Sequence, residues 1–309
     1  MAFIRRWLLT LSLLALGSGQ LFAATREERD FAAAAAAFKD GMWSRAEVDF
    51  AEFIEKHPDS PRVPEAALMQ AQADYKQGKV QEAITLLQSR ESSAGNFGDQ
   101  FLYWIGQAQL KNADYDDARD TFAKLASDFP ASQWRLDSVI NQAAAEAKLG
   151  QWSQIVGLLQ KPDEVFQNAV KTNATDDRVL NGRLLLAEAL LSQNHPGAAS
   201  SVLESSAAFK LNPELDWRRL SLLSKAQWAG GNTNAALDSA GSLVDVANRA
   251  NRPDLRAESV AQQAELLEKM GRFLEAQSVY SENLTNNAPD NWQRQAILKI
   301  AELSAVQTN

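Results

Sequence analysis

The sequence contains no cysteine. It can form no disulfide, thiolate nucleophile, iron–sulfur ligand set or lipid-bearing cysteine, so its fold must rest on packing alone. That composition suits an oxidising compartment without requiring one. Histidine is nearly absent too. His57 and His195 are the only two, and each precedes a proline with no second donor nearby. Zinc needs three or four clustered donors, so neither a metal nor a cofactor is expected. Basic charge is scarce: Lys and Arg total 31 against 39 Asp and Glu, for a net charge of -8 and a pI near 5.0. No block is basic enough to track a phosphate backbone, which argues against nucleic acid as a partner. Val-rich alternating runs are missing, so a β fold has little support. Equally absent are a glycine-rich phosphate loop, a His-Glu-x-x-His helix and a nucleophile elbow. The acidic pairs Asp116-Asp117 and Asp176-Asp177 read as solvated loop or first-turn charges. No catalytic residue is assigned.

What is abundant is alanine and leucine, both strong helix formers. The 309 residues are 45% apolar and 23% charged, a globular composition. Their number suits two ordinary domains or one extended repeat array. At the N-terminus Arg5 and Arg6 precede an apolar run over residues 7–16, and Ala23 and Ala24 offer small residues for cleavage. This is the layout of a secretory signal peptide over residues 1–24, with a core too short to serve comfortably as a permanent span. Its presence predicts a periplasmic or secreted protein. No integral membrane span is expected once it is removed, leaving at most peripheral association with an envelope.

The remaining chain repeats itself. Gly41, Gly78, Ala113, Gly150, Asn194, Gly231 and Gly271 stand at turn positions spaced 37, 35, 37, 44, 37 and 40 residues apart. Five residues after each comes Ala46, Ala83, Ala118, Ile155, Ala199, Ala236 or Ala276. Helical apolar spacing precedes and follows each turn, and prolines such as Pro58, Pro130 and Pro162 mark exits. The pattern predicts an all-α superhelical solenoid of about seven helical hairpins over residues 27–290. A capping helix and tail follow over 291–309, the end unit such arrays need. Asp114 reads as an N-cap with Asp117 three residues on. The wider gap between units four and five, including the polar stretch 171–177, predicts a bend or a projecting loop. Trp43, Phe50, Tyr115 and Phe122 read as core.

These residues resemble the tetratricopeptide-repeat family. Ala34, Gly41, Trp43, Ala46, Phe50 and Pro58 follow its pattern in the first unit. Gly106, Tyr115, Ala118, Phe122 and Pro130 follow it in the third, and Ala264, Gly271, Phe273, Ala276 and Tyr280 in the seventh. Units four to six are more degenerate. The stretch from Phe53 to Pro61, then Pro64-Glu-Ala-Ala67 and Phe129-Pro-Ala-Ser132, resembles a narrower group of bacterial cell-envelope repeat proteins. These are of the outer-membrane β-barrel assembly lipoprotein type and the Tol-Pal periplasmic partner type. The former type carries an anchoring cysteine, which this sequence lacks.

The resemblance implies a noncatalytic scaffold that binds a protein or peptide partner in a concave groove lined by the first helix of each unit. The implied lining falls on Leu68, Gln72 and Tyr75; Tyr103, Gln107 and Leu110; Leu184, Glu188 and Leu191; and Ser221, Lys225 and Trp228. For Tyr75, Tyr103 and Trp228 the competing reading is packing between repeats. Two rival functions remain open from sequence: a cell-wall enzyme or glycan-binding protein, and a self-associating structural protein stacking through the region of Trp292 and Ile297.

Overall fold

The computed structural model describes residues 25–162, 164–206, 211–285 and 287–307. The expected signal peptide over 1–24 lies outside the described residues. Helices dominate, and among the described residues there is no strand. The first hairpin pairs α1 (Arg26–Lys39) with α2 (Trp43–Lys56), the second α3 (Val63–Gln77) with α4 (Val80–Ser89), and the third α5 (Gly98–Lys111) with α6 (Tyr115–Asp128). The fourth consists of α7 (Arg135–Lys148) and α8 (Trp152–Leu159), with a short extra helix α9 (Val165–Thr172) behind it. Then come α10 (Asp177–Ser192) with α11 (Pro196–Glu204), α12 (Pro213–Ala229) with α13 (Thr233–Arg249), and α14 (Pro253–Lys269) with α15 (Phe273–Ser281). A last helix, α16 (Asp290–Gln307), closes the described chain.

Every hairpin turns in the same way. The seven turn residues all have positive φ, from 60° at Asn194 to 84° at Gly78, and Ala113 adopts 65° without being glycine. A residue in this conformation lets the backbone fold back on the helix end and satisfy its orphan carbonyls. In the first hairpin Gly41 N–H donates to Phe38 C=O (3.0 Å) and Met42 N–H to Ala37 C=O (2.9 Å). The same pair of bonds recurs in all six others, for example Gly271 to Glu268 and Arg272 to Leu267, both at 2.9 Å. The second helices therefore start from a backbone lock and need no side-chain cap. This corrects the reading of Asp114. Its carboxylate makes no cap bond and accepts instead from Asn112 Nδ2 at 2.7 Å.

The apolar residue five positions past each turn is buried, none more than 2% exposed, and in every hairpin but the fourth, which has Ile155, it is alanine. It lets the second helix close on the first, and larger side chains then fill the spaces between hairpins. One core runs through hairpins one to three around Phe31, Phe50, Phe53 and Phe101. A second joins hairpins four to six around Ile155, Leu159, Leu184 and Leu203. A third seats α16 on hairpin seven through Tyr280, Ala296 and Leu303. Each fully buried Leu or Phe contributes about 1.5–3 kcal/mol relative to exposure. Phe50 and Phe122 are fully buried as expected, but Trp43 and Tyr115 are only half-buried, because they sit at the hairpin edge beside the turn.

The wide gap after hairpin four does not project as a loop. Residues from Val165 form α9, and Phe166 is buried against Gly182 of α10, where a Cβ would collide with its ring. The resemblance between Pro58-Asp-Ser60 and Pro130-Ala-Ser132 also has a physical basis. Each serine hydroxyl donates to an acid at the start of its hairpin, Ser60 to Glu27 and Ser132 to Asp99, and accepts from the backbone N–H two residues on. The next helix then begins with a side chain laid on the preceding hairpin: Arg62 over Phe31 (3.2 Å to the ring centroid) and Trp134 stacked on Tyr103 (4.3 Å).

Candidate functional site: the inner face of the first helices

Most successive first helices touch one another. Contacts join α1 to α3, α3 to α5, α7 to α10, α10 to α12 and α14 to α16, and no comparable contact joins successive second helices. The first helices therefore lie on the shorter, inner side of the solenoid. Counting back from each turn residue places the half-exposed and exposed side chains of this face thirteen, nine and six positions upstream. In the third hairpin they are Gln100, Trp104 and Gln107; in the fourth Asp137, Asn141 and Ala144. They continue as Asn181, Leu185 and Glu188 in the fifth, and Arg218, Leu222 and Lys225 in the sixth.

Between α7, α10 and α12 this face opens into a cavity of about 280 Å³. Ile140, Ala144 and Leu185 form its apolar floor, and Asp137, Asn141, Arg178, Asn181 and Arg218 its polar wall. The wall is cross-linked. Arg178 bridges Asp137 (3.0 Å) and Asp176 (2.6 Å), and Arg218 Nη1 donates to Asn181 Oδ1 (3.0 Å). Asp176, expected as a loop charge, caps α10 by accepting from Arg178 N–H at 2.8 Å, and the Arg178 guanidinium holds its carboxyl below the usual range. Asp137 is the cavity's only lining carboxylate, and it is engaged by Arg178. An enzyme of the two-carboxylate kind needs a second acid free to act.

The residues implied by resemblance divide between surface and interior. Gln72 and Gln107 are half-exposed, and Glu188 and Lys225 are exposed, all on the inner face. Leu68, Leu184 and Ser221 are buried in the packing between helices and line no surface. They fall ten positions before the turn, one residue from the exposed row. Tyr75 and Trp228 are half-buried three positions before their turns. Lys111 lies over the Tyr75 ring at 4.2 Å and donates to its backbone carbonyl at 2.8 Å, and Lys269 lies over Trp228 at 5.7 Å. The lysine of one hairpin thus covers the aromatic of the one before. Leu110 packs beside Phe122, and Leu191 beside the central core. Tyr103 is held between Trp134, Trp104 (5.9 Å) and Phe122 (6.4 Å), and burial pushes its hydroxyl above the ordinary range.

Resemblance missed Trp104, Asn141, Asn181, Leu185 and Arg218. The signal that finds them is a count backward from the turn, whose backbone is fixed, rather than forward from a unit start that shifts with each exit loop. Elsewhere His57 Nε2 donates to Asp30 Oδ2 (2.9 Å) and its ring rests on Phe53, a packing role. Among the described residues no cluster of three or more His, Cys, Asp or Glu could hold a metal, and no helix is long and apolar enough to cross a membrane.

A family model described as tetratricopeptide repeat matches residues 30–60, and one described as anaphase-promoting complex, cyclosome, subunit 3 matches residues 49–125. No curated protein matches the sequence. Solved structures do match in shape. The C-terminal part of a TPR repeat-containing protein from Cytophaga hutchinsonii is 16% identical, with a TM-score of 0.66 over 87% of this chain and 99% of that one. A tetratricopeptide repeat protein from Parabacteroides merdae is 12% identical, with a TM-score of 0.58 over 89% and 98%. A Rap protein complexed with Competence and Sporulation Factor is 12% identical, with a TM-score of 0.51 over 84% and 76%. At such identities the likeness is one of fold. The family-model matches lie within residues 30–125, and the fold of the described chain is a solenoid of the tetratricopeptide-repeat kind.

Proposed function

We propose that the protein is a noncatalytic scaffold of the bacterial cell envelope that holds an extended polypeptide segment along the inner face of its first helices. One observation carries this reading. The cavity on α7, α10 and α12 presents an apolar floor beside amide and guanidinium groups already fixed by Asn181–Arg218 and Asp137–Arg178 bonds. Prefixed donors and acceptors next to half-buried apolar side chains suit a backbone with alternating side chains, since little ordering is left for binding to do. The Rap protein of similar fold, solved as a complex with Competence and Sporulation Factor, supports the idea that such a scaffold holds a partner.

Affinity capture from envelope extracts tests the reading. The double variant Asn141→Ala, Asn181→Ala should lose the proteins the parent retains, while the outer-face variant Val48→Ala should keep them. Equal retention by both would retire the inner face as the working surface. The envelope location rests on the signal-like residues 1–24. Deleting them should leave a tagged chain in the cytoplasmic fraction, and unchanged fractionation would remove that part of the proposal.

One observation favours a second reading, self-association. Ile297 and Leu298 of α16 are each 59% exposed although the helix otherwise packs on hairpin seven. Light scattering would show a species larger than the monomer that Ile297→Glu dissociates. A monomer at all concentrations would sink this alternative.

A further inference from the structure

From the cavity wall onward, the inner face carries charges that make no ion pair among the described residues. On α12, Arg218 and Lys225 are both exposed. Seven residues apart, they stand two turns, or about 10.5 Å, along one face. Among the described residues Arg218 donates to the neutral Asn181 amide and meets no carboxylate, and Lys225 makes no ion pair. Nearby arginines differ. Arg178, Arg219, Arg252 and Arg256 each have a carboxylate within 3.1 Å.

On α14 the same register is occupied by acids. Glu258 and Glu265 stand thirteen and six positions before Gly271, as Arg218 and Lys225 stand before Gly231. Neither makes an ion pair among the described residues. Burial pushes the Glu258 carboxyl above its ordinary value, with Lys225 opposing the shift from across the groove. The two helices are locked in this alignment by neutral bonds. Trp217 Nε1 donates to Ser259 Oγ (2.8 Å), Ser221 Oγ to Gln262 Oε1 (3.1 Å), and Gln262 Nε2 to the Ser221 carbonyl (3.3 Å). The result is a basic stripe on α12 beside an acidic stripe on α14, held side by side without pairing. Unpaired charges in a partly desolvated groove favour a partner of complementary pattern and penalise one of like pattern.

We infer that the bound segment is a polypeptide with an acidic side chain over α12 and a basic side chain over α14, the two about three residues apart in an extended chain. The spacing follows from the geometry. α12 and α14 meet through the side-chain bonds of Trp217 with Ser259 and Ser221 with Gln262 rather than by close backbone packing, which puts them at the far end of the usual spacing, about 10 Å, and an extended chain advances about 3.3 Å per residue. This rests on the groove reading proposed above and narrows its ligand to a charge-alternating peptide crossing hairpins six and seven.

The test is selection from a display library of random twelve-residue peptides on the immobilised full chain. Enriched sequences should carry Asp or Glu followed or preceded, three positions away, by Lys or Arg. A selected peptide should bind the Arg218→Glu, Lys225→Glu variant about tenfold or more weakly. The further pair Glu258→Lys, Glu265→Lys, added to that variant, should restore binding to a peptide with the two charges exchanged. Because all four side chains lie on the surface, circular dichroism of each variant should match the parent, and that recovery guards against a folding artefact. Enrichment without the charge pair, or affinity unchanged in the first variant, would overturn the inference and leave the groove reading standing. No enrichment at all would overturn both.

Discussion

Ala113 occupies a backbone conformation that six of its counterparts meet with glycine or asparagine. The left-handed region costs a β-carbon-bearing residue about 1 kcal/mol, and asparagine less. Ala113→Gly should therefore raise stability, offset in part by the greater freedom of glycine when unfolded, for a net gain of about 0.5 kcal/mol by urea denaturation. A loss of stability would mean that the turn is not strained there. Asp74 is a different case. It is 2% exposed and its Oδ1 has no hydrogen-bond partner, and burial beside Glu47 pushes its carboxyl up to about 6. Its folded value lies above the unfolded value of 3.8, so the folded state binds the extra proton. The stability it contributes is full below pH 4 and is lost as pH rises towards 6. Asp74→Asn should remove that slope and stabilise the protein at pH 7 by roughly 2–3 kcal/mol, as a shift of this size implies. A pH titration of unfolding midpoints in both proteins checks it; parallel curves would refute it. At this scale the turns were legible, since each pairs a turn residue with an apolar one, usually alanine, five positions later. Asp74 was not, because nothing in its local sequence distinguishes a buried acid from a solvated one on a helix.

At the scale of elements, the hairpins follow from periodicity, but α9 does not. Eight residues are too few to show a convincing helical period, and the polar run after it reads as loop. What makes α9 part of the fold is one side chain. Phe166 fills the space left by Gly182, and its insertion ties α9 to α10. Gly182→Ala would set a methyl group against that ring. Overpacking of this kind costs about 1–3 kcal/mol, and the strain should fall on α9 first. Hydrogen exchange should show lost protection at residues 165–172 while α1 to α6 keep theirs. Protection unchanged throughout would show that Phe166 is not the anchor. Gly106 forms a similar seat, with a Cβ position 2.7 Å from Phe122, and both residues could be read beforehand because they belong to the repeat signature. The exit loops were partly legible: the recurring Pro-x-Ser was visible, but its hydrogen bonds to Glu27 and Asp99, 33 residues away, depend on tertiary closure.

For the whole molecule, the solenoid and its inner face were foreseeable and the exact lining was not. A helix turns 100° per residue, so an offset of one position moves a side chain from surface to interior. That is why Leu68 is buried where Met69 is half-exposed, and why Tyr103 is packed between aromatics where its neighbour Trp104 reaches the groove. Half-exposed Gln72 and Gln107 and exposed Glu188 and Lys225 share the one offset, six residues before the turn, at which both ways of counting agree. The most direct measurement of the central claim is site-specific photo-crosslinking of the full chain in its native extract. A photoreactive side chain would be placed in turn at inner positions Asn141, Leu185 and Leu222 and at outer positions Val48, Thr85 and Asp238. Adducts of a discrete partner from the inner set and none from the outer set are the predicted result. Adducts from the outer set alone would contradict a scaffold that works through its first helices.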